Sequence, residues 1–265
     1  MTWHEVLGRV SFSNCDPIFH GLEDRWRILP APPAWLTGHV IRKDCLTAPI
    51  PSADYAEYHE HLVLIPDLGI VSRGEVGSVL LFGSRPIETM RDIALPSDSS
   101  TSKKLLSWIL KHRGIDPKTI EMGPNISTML ERCDGALLIG DRALSAAVRN
   151  PQSVQLDLGA EWTRITGMPM VFGVFAARKD SPMDTVRRAR NDMLEQYSMF
   201  MENEAWRNEV IVATSENSGL SESRISEYFR LGVENHLDSV AVKGLEKFLH
   251  EVCGMESGVE WLILD

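Results

Sequence analysis

From Gly8 to about Arg178 the chain alternates short apolar runs with segments of helical spacing, and after Lys179 it carries helical spacing alone. That alternation constrains the fold more than any other feature. Short apolar runs separated by amphipathic helices build an α/β layer structure with largely parallel strands. The expected strands are Gly8–Ser13, a segment near Leu46–Pro51, Leu62–Val71, Val76–Phe82, Asp92–Leu95, Ala136–Ile139 and Met170–Ala177. Between them, Ser102–His112 places Leu105, Leu106, Ile109 and Leu110 on one helical face and stops before Gly114, a residue suited to the left-handed turn that ends helices. Beyond Lys179, Ser181-Pro182 reads as a cap followed by a first-turn proline, and Val186, Ala189, Leu194, Tyr197 and Met201 recur at helical spacing. Two further helices fit Glu222–Leu231 and Val240–Cys253, the second ending at Gly254.

The chain has 265 residues, room for roughly two domains, yet it shows no linker, internal repeat or low-complexity tract. With a helical tail that must cover some sheet, two lobes are expected, with more than one crossing between them: 1–90 with 176–265 as one lobe and 91–175 as the other. A ligand is then expected in the interlobe cleft, where the loops that follow strands converge.

Composition narrows the partners. There are 37 acidic and 27 basic side chains and a formal net charge of −10 at pH 7, which argues against a nucleic-acid or anionic-membrane surface. An anionic ligand must be held by local donors. No apolar run approaches the ~20 residues needed to span a bilayer. The start, Met1-Thr2-Trp3-His4-Glu5, lacks the basic and apolar regions of a secretory leader, so a cytoplasmic location is expected. Cys15, Cys45, Cys133 and Cys253 lie far apart without a C-x-x-C pair, which suggests reduced, mostly buried thiols instead of a disulfide framework or zinc site.

The loops after strands hold the candidate chemistry. Asn14, in Ser11-Phe12-Ser13-Asn14-Cys15-Asp16-Pro17, offers one acceptor and two donors without charge, and fits a cap or turn as well as a ligand contact. The richest stretch is Leu95-Pro96-Ser97-Asp98-Ser99-Ser100-Thr101-Ser102-Lys103-Lys104, where hydroxyls open an amphipathic helix. Free N–H groups, the positive end of the helix dipole and the side chains of Ser99, Ser100, Thr101 and Ser102 can hold a carboxylate there. The plainer alternative is one capping serine with solvated neighbours. Ser52 and Ser78 stand beside a strand end and a strand entrance. Gly140 permits close ligand approach after Ala136–Ile139, and Asp141 reads first as a cap of the helix that follows. No G-x-S-x-G, H-E-x-x-H or G-x-G-x-x-G motif occurs, and His59-Glu60-His61 reads as a solvated helix end, so neither a metal nor an organic cofactor is expected.

Six stretches taken together, Gly8–Glu23, Pro51–Ala56, Leu64–Phe82, Ser99–Ser102, Leu137–Leu144 and Asp157–Trp162, resemble the chorismate dehydratases of the futalosine route to menaquinone. Their order and spacing match over most of the chain, and the tail with Tyr228 and Gly244-Leu245-Glu246-Lys247-Phe248 also looks like that family. One departure is Arg42-Lys43-Asp44, where the family often has a small residue or glycine before its aspartate.

The resemblance implies a two-lobe periplasmic-binding-protein type II fold with an interlobe cleft and a helical C-terminal region. It also implies a lyase converting chorismate, a small dianion, to 3-[(1-carboxyvinyl)oxy]benzoate and water. In that reading Ser99–Ser102 suit one carboxylate, with Ser52 and Ser78 as partners from the other lobe, and Asn14 orients the leaving hydroxyl or the ring. The proton goes to a substrate carboxylate, with Asp16 and His20 as weaker protein candidates. Two alternatives stay open: the sister activity, which forms 1,4-dihydroxy-6-naphthoate from cyclic dehypoxanthinyl futalosine, and a solute-binding protein without catalysis.

Overall fold

The apolar runs form strands that sort into two sheets in the computed structural model, which describes residues 2–264. The chain lays down β1 (Val6–Val10), β2 (Arg27–Ala31), β3 (Thr47–Pro51) and β4 (Leu62–Ser72). It then crosses to make β5 (Val79–Gly83), β6 (Asp92–Pro96), β7 (Lys118–Met122), β8 (Gly135–Ile139) and β9 (Val154–Asp157), and returns for β10 (Met170–Arg178) and β11 (Glu234–Leu237). Among the described residues one sheet runs β11-β4-β10-β3-β1-β2 and the other β7-β6-β8-β5-β9. Sheet membership changes between Ser72 and Val79 and again between Asp157 and Met170. Both changes come earlier in the chain than the expected lobe limits at 90 and 175, because β5 pairs with β8 and β9 and the whole of β10 pairs with β3 and β4.

The sheets are mixed, where largely parallel ones were expected. β1 is parallel to β2 and β3, and β6 to β7 and β8. The strands that follow a lobe crossing, β5 and β10, oppose their neighbours, because a crossover connection keeps successive strands parallel only within one sheet. β1 stops at Val10, short of Ser13, and Ser13–Cys15 form a 3₁₀ turn. β5 begins at Val79, later than Val76, because the N–H groups of Val76 and Gly77 donate to the Asp157 carboxylate and join no strand. The same carboxylate accepts from Ala160 N and so caps the helix Leu158–Thr166.

Helix Thr101–His112 buries Leu105, Leu106, Ile109 and Leu110 as its spacing requires, each worth about 1.5–3 kcal/mol of transfer free energy. Gly114, at φ +71°, closes it with Ile115 N donating to Leu110 O. In helix Met183–Glu202, Pro182 takes the cap position assigned to Ser181. The buried stripe is Val186, Ala189, Met193, Gln196 and Phe200, so its second half runs one residue ahead of Leu194, Tyr197 and Met201. Glu204–Ser218 is a helix the spacing did not reveal. The expected Glu222–Leu231 helix ends at Glu227 and widens into a π turn, Tyr228–Gly232, and the last helix is Ser239–Glu251. Lys43, at the departure from the family pattern, has φ +62°, a left-handed conformation that explains why a glycine suits that place.

One hydrophobic core runs through both lobes, and a smaller cluster around Phe82, Met129 and Leu138 covers the far face of the second sheet. Cys15, Cys45 and Cys133 are buried and every described cysteine is unpaired with another. Among the described residues no helix is long and apolar enough to cross a membrane.

Candidate functional site

The carboxyl ends of β1, β3, β6 and β8 face one another across the lobes and enclose a cavity of about 50 Å³, room for a few water molecules. Its walls are apolar, with Val10, Phe12, Ile50, Ile70, Val79 and Phe172 prominent, and its polar side chains are Asn14, Ser78, Ser99, Thr101 and Ser102. Helices Pro33–Ile41, Thr101–His112 and Gly140–Arg149 all begin at this cavity, so the positive ends of their dipoles converge on it. Gly140 is required where it stands. It has φ +62°, and a Cβ there would lie 2.5 Å from the Phe12 ring. Arg142, paired with Asp98, holds its guanidinium 5.0 Å from the centre of the same ring.

Asn14 sits in the 3₁₀ turn after β1 and lines the cavity. Its side chain caps neither that turn nor helix Asp16–Phe19, which removes the cap reading, and its Oδ1 is buried without a hydrogen-bond partner. Behind it, the Asn235 amide on β11 donates to the Asn14 carbonyl at 3.0 Å and to the Gly69 carbonyl at 3.2 Å, which fixes the turn against the sheet.

The hydroxyl-rich segment divides by direction. Ser99 and Ser102 line the cavity and their hydroxyls have no protein partner among the described residues. Thr101 also lines it while Oγ1 accepts from Ala53 N at 3.1 Å across the lobes. Ser100 turns away and donates to Asp54, whose other oxygen accepts from Thr37 Oγ1 at 2.6 Å. Ser52, fully buried, donates to the Val171 carbonyl at 2.7 Å and is not among the lining residues. Ser78 lines the cavity, and its Oγ lies 2.9 Å from the Tyr228 hydroxyl. Asp141 does not cap its own helix: its carboxylate accepts from Ser13 N in the opposite lobe at 3.1 and 3.2 Å.

Among the described residues no titratable side chain lines the cavity. Burial pushes the carboxyl groups of Asp54 and Asp141 above their ordinary range and the Cys15 thiol up to about 12. Asp16, one candidate base, is engaged by Arg9 and by Thr214 Oγ1 at 2.8 Å. The other, His20, stands 3.3 Å from Glu209 and packs on Trp206 outside the lining. No group of three or more His, Cys, Asp or Glu is placed to hold a metal ion among the described residues. Sequence reasoning missed Phe12, Arg142 and Asn235, since an aromatic, an arginine and an edge-strand asparagine carry no signal until the lobes are brought together.

A family model described as menaquinone biosynthesis matches residues 6–252. The chain is 30% identical over 223 residues to the chorismate dehydratase of Thermus thermophilus, covering 76% of this chain and 82% of that one. Among solved structures it is similar to protein AF1704 of Archaeoglobus fulgidus, with TM-score 0.78 and 18% identity over 94% of this chain and 96% of that one. It is also similar to the periplasmic aliphatic sulphonate binding protein SsuA of Escherichia coli, with TM-score 0.64 and 14% identity over 98% and 94%. The fold is therefore that of the periplasmic binding proteins, and the cavity lies between the two lobes, the kind of place where small-molecule sites generally form. Together with the family model, which spans nearly the whole chain, and the 30% identity to a relative named chorismate dehydratase, this establishes that the chain belongs to the menaquinone biosynthesis family.

Proposed function

We propose that the protein dehydrates chorismate to 3-[(1-carboxyvinyl)oxy]benzoate, in the cytoplasm and within the futalosine route. The observation that carries this reading is the cavity lining: neutral hydroxyl and amide groups at converging helix starts, with no titratable side chain among the described residues. A dianion is then held by N–H and O–H donors, and the enzyme supplies no base of its own. The similarity to a relative named chorismate dehydratase supports the substrate.

The ring carboxylate acidifies the C3 hydrogen through the intervening double bond. The side-chain carboxylate of chorismate takes that proton, the C–H electron pair moves into the ring, and the C4–O bond breaks with its pair. The departing hydroxide recovers the proton as water, and an aromatic ring is left, so no external acid or base is consumed. Ser99, Thr101 and Ser102 bind one carboxylate. Asn14 and Ser78 face the leaving hydroxyl, where amide and hydroxyl donors favour departure without adding charge beside a dianion. Lobe closure excludes water and aligns these groups. The sister reaction on a nucleoside-derived substrate calls for a larger cleft and a protein base, and the lining residues include no such base.

The test is incubation of the purified protein with chorismate alone, followed by chromatography. A new benzoate appearing as chorismate disappears is the expected result. Binding without consumption would favour a solute-binding role, and conversion of cyclic dehypoxanthinyl futalosine in its place would favour the sister activity.

A further inference from the structure

We propose that Tyr228 is a positioning residue that holds the Ser78 hydroxyl with its proton directed into the cavity. Tyr228 is buried, lies outside the cavity lining and reaches Ser78 Oγ at 2.9 Å from 150 residues further along the chain. Its place depends on a local irregularity. Helix Glu222–Glu227 widens at Tyr228 into a π turn that ends at Gly232, and Val233 N closes the turn on the Tyr228 carbonyl at 3.1 Å. A Cβ at Gly232 would lie 2.7 Å from the Val76 carbonyl and 2.8 Å from the Tyr228 ring, so only glycine lets the ring lie against the crossing segment that carries Ser78.

The direction of the hydrogen bond follows from what each oxygen can reach. Ser78 Oγ is the one hydrogen-bond partner of the phenol among the described residues, and burial, aided by Asp141, Cys15 and Asp16 nearby, keeps the phenol protonated. A buried O–H without an acceptor is costly, so the phenol donates and Ser78 accepts. The proton of Ser78 is then left for the cavity that the side chain lines. Without the phenol, the serine hydroxyl is free to rotate, and its donor is no longer aimed at a ligand anion or a departing hydroxyl.

The inference rests on the proposed dehydration for its catalytic readout. Tyr228→Phe keeps the ring and removes only the phenolic oxygen, and Ser78→Ala removes the group it would orient. With chorismate, Tyr228→Phe is expected to lower kcat by about tenfold or more with KM changed by less than about threefold, and the melting midpoint by no more than about 4 °C. In a Ser78→Ala background the same change is expected to lower kcat by less than about twofold, because a residue acting through Ser78 has nothing left to act on. Equal losses in both backgrounds, or a Tyr228→Phe protein with the parent kcat, would overturn the proposal. If the parent protein does not consume chorismate, the dehydration reading alone fails. The four proteins are then compared by the midpoint shift that benzene-1,3-dicarboxylate gives. A shift reduced alike in either single variant and no further in the double supports the proposal. A shift that is equal in all four, that is absent from the parent, or whose losses add overturns it.

Discussion

The carboxylate of Asp141 and the backbone N–H of Ser13 meet at 3.1 and 3.2 Å although they belong to opposite lobes. The contact ties one lobe to the other beside the cavity, so it adds to the stability of the arrangement that encloses it. A hydrogen bond to a charged acceptor contributes about 1.5–3 kcal/mol, and its loss lowers the population competent to hold ligand. Asp141→Ala is expected to raise KM about tenfold, and Asp141→Asn, whose amide oxygen still accepts, by less. Steady-state kinetics with solution scattering checks this: an unchanged KM and radius of gyration in Asp141→Ala would remove the latch.

Asn14→Asp separates chemistry from architecture. The side chain caps nothing, so the substitution deprives no helix of its cap. It replaces the amide donors with a negative charge among apolar walls and beside a dianion. Turnover is expected to fall at least about a hundredfold, about 2.7 kcal/mol in the barrier, while the variant remains folded. Chorismate consumption and the melting midpoint, measured side by side, decide the matter, and a variant retaining most of the parent rate would exclude Asn14 from the reaction.

Thr101 and Ser102 should behave differently although they are adjacent. Thr101→Ala leaves Ala53 N without its acceptor, with an expected loss of about 1–3 kcal/mol in stability as well as weaker binding. Ser102→Ala breaks no protein hydrogen bond among the described residues, so its expected effect is a rise in KM of about ten- to a hundredfold at unchanged stability. Urea titration together with substrate saturation curves distinguishes the two patterns.

The pH dependence of kcat should be flat between about pH 6.5 and 9, since the substrate carboxylate is ionised throughout that range. Cys15 is pushed up to about 12 and burial raises the Tyr228 phenol, so neither ionises there. A fall in kcat as the pH drops, with a midpoint near that of histidine, would show that a protein group takes the proton.

Stability, unlike turnover, should respond to acid through Glu161. The Arg164 guanidinium first, and Arg113 with it, hold that carboxyl below its usual range despite its burial. A depressed folded value means that the stabilisation is present above the unfolded pKa of about 4.3 and is lost as pH falls through the lower folded value. Glu161→Gln is expected to melt about 2–4 °C below the parent at pH 7, a modest figure because Arg164 is largely solvated. The gap should close as pH is lowered from 5 towards 3; a constant gap would disconnect the ion pair from acid sensitivity.

The strands legible in the sequence, β1, β3, β4, β5, β6, β8 and β10, are the interior members of the two sheets, and those it concealed, β2, β7, β9 and β11, are the four edges. An interior strand is covered on both faces and reads as a continuous apolar run, as Gly135–Ile139 does. An edge strand such as Lys118–Met122 is half exposed and mixes charge with apolar residues. Gln196 hid the true stripe of its helix in the same way, by placing an amide where the spacing called for an apolar side chain. At the site, the placement of Asn14, Ser78, Ser99, Thr101, Ser102 and Gly140 at strand ends or entrances was enough to bring them to one cavity. The directions of Ser52, Ser100 and Asp141 were not legible, because each is set by a partner distant in the sequence: Val171, Asp54 and Ser13.

Asp157 fastens the outbound crossing to the inbound one, taking the N–H groups of Val76 and Gly77 on the first and of Ala160 on the second. Two chain segments joined side by side at one carboxylate cannot slide past each other without breaking those bonds, so the two crossings act as one connection between the lobes.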